Sequence, residues 1–332
     1  MKKKKFKVLI IGCGNIAGNL DSQVIKKKNS ITHAGAYKNN KNFILAACIE
    51  PNKKKRLKFI KKWKIKYGFK NISDFLKFNL TIDVVSICSP TNLHFQNLID
   101  SFKIKPKIIF CEKPLTESIS NSKKIIRMNR TNKIKILVNY SRRFDETVLK
   151  FKKEIKSGVF GKLRSINGVY NKGILNNGSH LLDLLIFLIG KLKIKYAADP
   201  IFDYKQEDPS IPFFLRSYSG VPIQVSCGNA FDYSFFEIQF VFSKVLIILE
   251  KNGLKWRIRR PISSKFFSKY KELSDGYFFD GNYMHSMNNA IKFIQNLLNY
   301  KKNILISTPK TSLESQIICE NIKRLSFKNY KY

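Results

Sequence analysis

The sequence predicts an α/β fold, with a doubly wound parallel sheet in residues 1–140 and an α+β domain in residues 141–332. Two observations carry this prediction. In the first part, short continuous apolar runs alternate with helical stretches, which is typical of a parallel sheet covered on both faces. After Arg143 the pattern changes to segments in which apolar and polar residues alternate, as in antiparallel sheets with one open face.

Five apolar runs in the first part predict strands, and four stretches between them predict helices. The predicted strands are Lys7–Ile11, Phe43–Ile49, Asp83–Cys88, Lys107–Cys111 and Lys135–Val138. The predicted helices are Ile16–Lys26, Asn52–Lys66, Asn92–Phe102 and Ser118–Asn129. In such an arrangement the carboxyl ends of the strands share one edge of the sheet, which is where ligands bind in open α/β folds.

The second part combines predicted helices with predicted antiparallel strands. In the run FEIQFVF, the apolar side chains at every second position from Phe236 to Phe242 share one face of a strand. The Asn252-Gly253 pair stands between two apolar runs and is a strong hairpin signal. The other predicted elements are a strand near Lys162–Tyr170 and helices near Glu146–Ser157, Gly178–Ile189, Tyr283–Tyr300 and Lys310–Leu325.

Composition indicates a globular protein without membrane insertion. Of the 332 residues, 44% are apolar and 26% charged, and no window approaches the ~18 uninterrupted apolar residues of a membrane helix. The lysine-rich start resembles a signal peptide, but its apolar run, Val8–Ile11, is shorter than the ~7–15 residues that such a core needs. Six scattered cysteines predict buried reduced thiols instead of disulfides or a metal site. We therefore expect a cytoplasmic protein.

The net charge of +39 allows two interpretations. A surplus of this size attracts nucleic acid or an anionic membrane surface. However, 51 of the 62 basic residues are lysine, and the chain is rich in Ile, Asn, Phe and Tyr, whose codons are also A/T-rich. The lysines do not cluster with aromatic residues on one face. The sequence therefore favours coding bias over a specific nucleic-acid partner, while the charge still attracts phosphorylated or carboxylated small molecules.

The first predicted strand ends in the pattern Gly12-x-Gly14-x-x-Ala17, and a predicted helix follows it. In this context the pattern predicts a dinucleotide-binding turn. Gly12 permits the tight turn, Gly14 lets the main chain approach a pyrophosphate, and Ala17 allows close packing of helix and strand. The N–H groups at the helix start, around Asn15 and Ile16, favour the anion. A glycine-rich turn without a nucleotide is the alternative.

Glu50 ends the second predicted strand and favours NAD over NADP. Its carboxylate can accept hydrogen bonds from both ribose hydroxyls and repels a 2′-phosphate. Two alternatives stay open. Lys53, Lys54, Lys55 and Arg56 follow closely and could pair with a 2′-phosphate, and Glu50 could be a solvated strand end. The sequence thus predicts NAD, with NADP as the second choice.

Two further motifs follow predicted strands that end at the same edge. SPTNLH begins at Ser89 and contains Thr91, and CEKPL contains Glu112 and Lys113. Since ligands in open parallel sheets bind beyond the carboxyl ends of strands, we expect these side chains around the same crevice as the glycines. Lys113, fixed by Pro114, could position a substrate hydroxyl or relay its proton, or it could be one more solvated lysine.

Together these motifs resemble the Gfo/Idh/MocA family of nicotinamide-dependent sugar oxidoreductases. The resemblance runs, in order, through GCGNIAG, THAGAY, DVVSICSPTNLH, the Glu112-Lys113-Pro114 signature, NYSRRFD, FGKL and NNGSHLLDLL. It implies an N-terminal Rossmann domain and a C-terminal α+β domain built on a large, mainly antiparallel open sheet. It also implies hydride transfer between nicotinamide and a carbon of a sugar or nucleotide sugar, in homodimers or homotetramers formed through that sheet.

The resemblance also implies roles for single residues. Lys113 is similar to the family's catalytic lysine and His180 to its acid–base histidine, with Asp183 on the same helical face. Without the motif, a histidine on such an apolar helix would be interpreted as a core residue. The implied substrate-binding residues are Lys113, Arg143, Tyr170, Lys172, His180 and Asp183. The cofactor-binding set adds Ser89, Pro90, Thr91, His94, Glu112 and Lys113 to the glycine turn and Glu50.

The chain departs from the family at Asn176, where many members have an aspartate four residues before the histidine. Asn176 stays among the predicted catalytic residues because an amide can still orient the His180 ring by hydrogen bonding. It cannot stabilise the imidazolium by charge. Either His180 is then less basic, or Lys113 carries more of the proton transfer, or the subfamily has a different substrate or reaction direction.

Three other functions stay open at this point. A dinucleotide-binding sensor or scaffold would bind the nucleotide without catalysing a reaction. Asn176 is weak evidence for this function, and the intact Lys113 and His180 are evidence against it. An enzyme of the same fold could return the hydride to its substrate and so catalyse epimerisation or elimination. A basic nucleic-acid-binding protein would bind DNA and no nicotinamide, but the chain has no recognition motif for nucleic acid.

Overall fold

The computed structural model describes residues 5–22, 29–300 and 304–330. The chain divides into two compact units. The first runs to Phe144 and includes Met284–Leu313, and the second comprises Asp145–Tyr283 and continues from Glu314. The sequence predicts that all residues after 140 belong to the second domain. In the structure, the segment Met284–Leu313 instead packs with the first unit.

The first unit is built on a six-stranded sheet in which every neighbouring pair is parallel. Its strands are β1 Phe6–Ile11, β2 Phe43–Ile49, β3 Tyr67–Phe69, β4 Val84–Ile87, β5 Ile108–Cys111 and β6 Lys135–Val138. They lie in the order β3-β2-β1-β4-β5-β6. The strand order reverses between β1 and β4, and the crevice at such a reversal is the usual ligand position in these sheets.

Apolar side chains cover both faces of this sheet. Along β1, Val8 and Ile10 belong to one buried cluster and Leu9 and Ile11 to another, because successive side chains of a strand point to opposite faces. Val8, Leu9 and Ile10 have no exposed surface. Burial on both faces explains why the strands are continuous apolar runs in the sequence, and it confirms the predicted doubly wound sheet.

The helices of the first unit connect its strands, with one addition from later in the chain. They are α1 His33–Asn39, α2 Lys53–Trp63, α3 Ile72–Lys77, α4 His94–Ile104, α5 Ile119–Asn132 and the late helix α8 Ser286–Asn299. Met287, Ile291 and Ile294 of α8 are buried in the same cluster as Val8. The sequence predicts α8 as a helix, but the face it covers depends on tertiary packing.

The predicted first helix, Ile16–Lys26, is wrong in its described part. Asn15–Asn19 form a π-helical turn and Leu20–Ser22 a 3₁₀ turn, while residues 23–28 lie outside the described residues. The α-helix of this connection is α1, which the sequence pattern does not predict because Gly35 lowers its helical propensity. Only glycine fits there, since a Cβ would collide with Asp21 Oδ2 and Ser30 Oγ. The pattern also misses β3 and α3, which are three and six residues long.

The second unit is built on an eight-stranded, mainly antiparallel sheet. Its strands are β7 Leu163–Tyr170, β8 Leu192–Ala197, β11 Phe213–Ser217, β12 Pro222–Cys227, β13 Phe236–Phe242, β14 Leu246–Glu250, β15 Lys255–Arg259 and β18 Tyr277–Asp280. Their order is β18-β15-β14-β13-β7-β12-β11-β8, in which β7 and β12 run parallel and the other neighbours antiparallel. The predicted α+β domain with a large, mainly antiparallel sheet is confirmed.

Two short hairpins and three α-helices complete the described part of the second unit. The hairpins pair β9 Ile201–Lys205 with β10 Asp208–Ser210 and β16 Pro261–Ser263 with β17 Lys271–Leu273. The helices are α6 Glu146–Ser157, α7 Ser179–Ile189 and, from Glu314 onward, α9 Pro309–Asn329.

Two sequence predictions for the second unit, a strand with one buried face and a hairpin, are confirmed. The apolar residues of FEIQFVF are buried at every second position along β13. The hairpin at Asn252-Gly253 joins β14 to β15, and both residues have positive φ angles of 61° and 92°. Because Glu250 pairs with Lys255, the connecting loop has four residues and not two.

Three further findings concern membrane-spanning helices, metal-binding groups and cysteine thiols. Across the described ranges, no helix has the length and apolar character needed to cross a membrane. In the same residues no group of three or more His, Cys, Asp or Glu side chains is arranged to hold a metal ion. All six cysteines are free thiols, and five of them are buried.

Candidate active site

Gly12 meets two constraints at the end of β1. Its φ of +88° lies in the left-handed region that favours glycine. A Cβ at this position would also lie 2.7 Å from the main-chain nitrogen of Ser89 and 2.8 Å from its Cα. The main chains that leave β1 and β4 therefore pass too close for any side chain between them. Pro90 and Thr91 follow directly, at the start of the 3₁₀ turn Thr91–Leu93.

Gly14, unlike Gly12, is not required by packing. A Cβ built on Gly14 has no atom within 4 Å, so the space in front of this main chain is open. The residues after it form the π-helical turn that contains the fully buried Ala17. The first N–H groups of a helical turn have no acceptor within the turn. An open space bordered by such N–H groups, among them those of Asn15 and Ile16, fits a dinucleotide pyrophosphate.

Glu50 is held beside the glycine turn by main-chain N–H groups. Its Oε2 accepts a hydrogen bond from Cys13 N–H at 3.0 Å, and its Oε1 accepts one from Asn52 N–H at 3.1 Å. Each carboxylate oxygen keeps a second lone pair, and the residue is half-buried. The carboxylate at the end of β2 is therefore fixed next to the turn and can still accept from a ribose hydroxyl.

Arg56 is the member of the predicted basic cluster that reaches this strand end. Its Nη1 donates to the main-chain carbonyl oxygens of Glu50 and Pro51. Lys53, Lys54 and Lys55 begin α2 and are exposed. The two groups that could distinguish NAD from NADP, a carboxylate and a guanidinium, thus belong to the same end of β2.

His94 links the two motifs at the carboxyl edge of the sheet. Its buried ring places Nε2 2.9 Å from the carbonyl oxygen of Ser89 and Nδ1 2.9 Å from that of Pro114. Carbonyl oxygens only accept, so both contacts are hydrogen bonds only when both ring nitrogens carry a proton. Asn97 Nδ2 also donates to Ser89 Oγ at 2.7 Å. His94, predicted to contact the cofactor, therefore fixes the loop after β4 to the residue that follows Lys113.

Glu112 directly follows β5 and lies in a network that sequence analysis did not predict. Its Oε1 lies 2.8 Å from His33 Nε2 and 2.6 Å from Asn139 Nδ2. Burial alone would raise the pKa of Glu112. The hydrogen bond and charge of His33, then the Asn139 hydrogen bond and the Lys113 charge, outweigh burial and hold this pKa below its ordinary value. The carboxylate is therefore ionised at neutral pH. His33 belongs to the THAGAY motif, but its partner is 79 residues away in the chain.

Lys113 and Arg143 differ in their surroundings. Lys113 is half-buried, and its charge acts on the neighbouring Glu112 carboxylate. Arg143 is only 3% exposed, and its Nη1 donates to the carbonyl oxygen of Ile306 at 2.8 Å. The structure thus gives Arg143 a packing partner inside the first unit, and its predicted contact with a substrate stays a prediction.

In the second unit, Lys172, Asn176 and His180 lie on one continuous segment. It consists of a π-helical turn at Gly173–Gly178 followed directly by α7. Lys172 and Gly173 have φ angles of 66° and 81°, so the chain turns sharply before the helical turn begins. Asn176 Nδ2 donates to the carbonyl oxygen of Lys172 at 3.1 Å and closes the turn. Lys172, Asn176 and His180 are all half-buried.

Two carboxylates from the β9–β10 hairpin hold this segment, and sequence analysis missed both. Asp208 is 7% exposed and accepts from the N–H groups of Leu175 at 2.7 Å and Asn176 at 3.0 Å. Asp203 accepts from Lys172 N–H at 3.1 Å. No side-chain pattern could have indicated these bonds, because their donors are main-chain groups. The segment before α7 is thus anchored by buried acidic side chains.

Tyr170 and Asp183 are buried inside the second unit. The Tyr170 hydroxyl donates to the carbonyl oxygen of Ile211 at 2.9 Å and accepts from Ile211 N–H at 3.0 Å. Asp183 is 1% exposed and accepts from Ser315 Oγ at 2.9 Å. Both side chains therefore have partners inside the fold, and their contact with a substrate stays a prediction.

Comparison with protein families identifies the first unit. Residues 6–140 match the model of the GFO_IDH_MocA family, described as an oxidoreductase family with an NAD-binding Rossmann fold. The match confirms the resemblance inferred from the motifs for residues 6–140. The NAD named in the family description is the dinucleotide that the sequence predicts.

Two curated relatives differ in how much of the chain they match. Inositol 2-dehydrogenase of Rhizobium meliloti (strain 1021) is 32% identical over 93 residues, which are 28% of this chain and 28% of that protein. The chain thus spans little more than a quarter of the length of this relative. Inositol 2-dehydrogenase of Corynebacterium glutamicum (strain R) is 24% identical over 273 residues, which are 76% of this chain and 77% of that protein.

A solved structure extends the likeness to the whole chain. The WlbA dehydrogenase of Bordetella pertussis, in complex with NADH and UDP-GlcNAcA, is 16% identical and superposes with a TM-score of 0.77. The superposition covers 98% of both chains. At this identity the likeness shows the fold alone, and it confirms the predicted fold class.

Proposed function

We propose that the protein is an NAD-dependent oxidoreductase that transfers a hydride between nicotinamide and a CH–OH carbon of a sugar or nucleotide sugar. The observation that supports this most directly is the carboxyl edge of the first sheet. There the glycine turn follows β1, Glu50 follows β2, and the Glu112-Lys113 motif follows β5. In the sheet these strands lie in the order β2-β1-β4-β5. A nucleotide-binding turn and an acid–base group at one sheet edge are what such a reaction requires.

The residues of the first unit fit a dinucleotide. We assign the pyrophosphate to the open main chain at Gly14 and the start of the π-helical turn, and the adenosine ribose to Glu50. The loop of residues 89–94 and Glu112-Lys113 complete the proposed binding residues. When bound, the nicotinamide supplies hydride acceptance and donation. Glu50 favours NAD because its carboxylate repels a 2′-phosphate.

Lys113 is the proposed acid–base group of the first unit. Oxidation of an alcohol needs a group that takes the hydroxyl proton while the C–H bond breaks, and reduction needs the same proton returned. A half-buried lysine beside an ionised carboxylate suits this exchange. The nearby anion favours the ammonium form, which donates a proton to the developing alkoxide. The neutral amine takes it back in the opposite direction.

His180 is the proposed second acid–base group. Its helix begins directly after the turn that Asp208 anchors and Asn176 closes. We propose that Asn176 supports His180 through this turn, by fixing the main chain from which the ring projects. Lys172 and Asp183 belong to the same anchored segment and helix, and we retain them, with Arg143 and Tyr170, as proposed substrate-binding residues.

A nucleotide sugar is the substrate class that we favour. The net charge of +39 attracts a diphosphate, and the B. pertussis enzyme was solved with UDP-GlcNAcA. The inositol dehydrogenases among the relatives make a free cyclic polyol the second candidate. We also propose a homodimer or homotetramer formed through the large sheet, and a cytoplasmic location, since all six cysteines are free thiols.

The deciding experiment has two steps on the purified full chain. Mass spectrometry after denaturation identifies any retained nicotinamide dinucleotide. A screen of nucleotide sugars and myo-inositol then follows the NADH absorbance. We expect NAD(H) to be released and at least one nucleotide sugar to change the absorbance. Retained cofactor with an isomerised product and no net NADH would favour epimerisation, and sugar binding without any reaction would favour a sensor.

A further inference from the structure

His33 is a buried histidine that the proposed mechanism does not use. It begins α1 and has no exposed surface. Its Nε2 lies 2.8 Å from Glu112 Oε1, and its Nδ1 lies 3.4 Å from Ser86 Oγ. Ser86 Oγ is in turn 2.9 Å from the Tyr37 hydroxyl. Because a carboxylate only accepts, the Nε2 of His33 must be the donor to Glu112.

Besides His33, an amide and the lysine of the same motif act on the Glu112 carboxylate. Asn139 Nδ2 donates from the end of β6, and Lys113 follows in the chain. The thiols of Cys88 and Cys111 are neutral, because burial first, and then the Glu112 charge, raises their pKa. Burial also raises the pKa of the Tyr37 hydroxyl, so the far end of the network is neutral.

We propose that His33 is a positioning residue for the acid–base lysine, because it holds the Glu112 carboxylate ionised and in place directly before Lys113. This inference rests on the proposed function of Lys113. A carboxylate that is 14% exposed needs donors to stay charged, and His33 and Asn139 supply them. A fixed anion beside an ammonium group favours its protonated form. His33 thereby sets the pH above which Lys113 can accept the proton of an alcohol.

Two substitutions separate this role from simple packing. The His33 ring also contacts Phe110, with 4.8 Å between ring centroids. His33→Phe keeps an aromatic ring in the core and removes the donor to Glu112. His33→Gln keeps an N–H donor at a similar reach and removes the ring. If His33 serves only in packing, His33→Gln should perturb the protein more than His33→Phe. If His33 serves as a hydrogen-bond donor, His33→Phe should change Glu112 more than His33→Gln.

The first readout needs neither substrate nor cofactor. The full chain is labelled with ¹³C at the glutamate side-chain carboxyls, and the Glu112 signal is assigned by its loss in Glu112→Gln. We expect Glu112 of the unmodified protein to titrate below the ordinary value of about 4.3. In His33→Phe it should titrate at least about one pH unit higher, and in His33→Gln within about half a unit of the unmodified protein. If the phenylalanine variant does not fold, a Glu112 that titrates at or above the ordinary value in the unmodified protein overturns the proposal.

The second readout is the pH profile of alcohol oxidation. Burial raises the pKa of a carboxyl by up to ~3–5 units once its donors are lost, so in His33→Phe part of Glu112 is protonated within the acidic limb. Lys113 there loses its anionic neighbour and releases its own proton at lower pH. The acidic limb in His33→Phe should therefore move to lower pH, while His33→Gln keeps the original limb. Equal Glu112 titrations in all forms, or equal shifts in both variants, overturn the role of His33 and leave the proposed oxidoreductase intact. Full turnover in Lys113→Met would instead contradict the proposed role of Lys113 in the reaction. The Glu112 titration does not depend on that role.

Discussion

Asn176 and Asp208 are joined by a hydrogen bond of 3.0 Å from the Asn176 main-chain N–H to Asp208 Oδ2. Asp208 is also fixed by Leu175 N–H at 2.7 Å. A carboxylate already occupies the N–H side of position 176, while the Asn176 side chain donates to the carbonyl oxygen of Lys172. An amide suits this position because it can donate to that carbonyl and adds no second negative charge beside Asp208.

We therefore expect Asn176→Asp to destabilise the second unit in a pH-dependent way. At pH 8 the introduced carboxylate loses the donor to Lys172 and repels Asp208, which should lower the free energy of unfolding by about 1–3 kcal/mol. At pH 4 the loss should be smaller because the introduced group can be protonated. Urea unfolding at both values measures it. Asn177→Asp is the matched control, since Asn177 Nδ2 donates to the Asn171 carbonyl at 3.0 Å. Equal pH dependence in both variants would contradict the role of Asp208.

Alanine at the two glycines of the first turn should affect different properties, stability at Gly12 and cofactor affinity at Gly14. Gly12→Ala forces a side chain to adopt φ of +88° and to collide with Ser89, so stability should fall by more than the ~1–2 kcal/mol of left-handed backbone strain alone. Gly14→Ala meets no atom within 4 Å, so the fold should persist while NAD(H) affinity falls. Thermal unfolding without cofactor and titration calorimetry with NADH separate the two effects. A Gly14→Ala protein with unchanged NADH affinity would mean that no pyrophosphate approaches this main chain.

The parts of the fold that the sequence predicts correctly have a local signal. Val8–Ile11 is apolar at every position because both faces of β1 are buried, and β13 alternates because its buried side chains lie at every second position. The π-helical turn at Asn15–Asn19 has no such signal, since five residues are too few for a helical periodicity to be detected. β3 is too short for periodicity to be detected.

The same distinction applies to the candidate site. Gly12, Glu50 and Glu112 were predictable because each directly follows a buried strand, and strand ends meet at one edge of the sheet. His33 and Asp208 were not, because their roles depend on partners 79 and 32 residues away in the chain. For Asp208 those partners are main-chain N–H groups, which every residue except proline carries.

Cofactor preference should depend on the charge of Glu50. The unmodified protein should bind NAD(H) more tightly than NADP(H), because the carboxylate at the end of β2 repels a 2′-phosphate. Glu50→Gln keeps an oxygen that can accept from Cys13 N–H and removes the charge. It should leave NAD affinity within a few-fold and raise NADP affinity by about tenfold, or ~1.4 kcal/mol. Calorimetric titration with both cofactors measures this. An unmodified protein that prefers NADP would assign the ribose end to Arg56.

Lys113→Met tests the proposed chemical step. Methionine keeps an unbranched apolar stem and removes both the charge and the proton. Turnover should fall by at least the ~10²-fold that acid–base groups supply, while NAD binding stays within a few-fold. Steady-state kinetics with the nucleotide sugar found in the screen, and calorimetry with NAD, give the two values. Lys123→Met, on α5 in the same unit, is the control for a general effect of removing one lysine. Turnover near that of the unmodified protein would exclude Lys113 from the mechanism.

The lowered pKa of Glu112 predicts how stability changes in acid. Its carboxyl binds a proton less tightly in the folded than in the unfolded protein, where the pKa is about 4.3. The stabilisation from ionised Glu112 is therefore fully present above that value and is lost as pH falls through the lower folded pKa. In urea unfolding from pH 7 to pH 3, the stability difference between the unmodified protein and Glu112→Gln should narrow as pH falls. Glu117→Gln, at an exposed glutamate, should show no such narrowing. A difference that stays constant across this range would mean that the pKa of Glu112 is the same in the folded and the unfolded protein, and a difference that widens as pH falls would mean that Glu112 is held as a neutral acid.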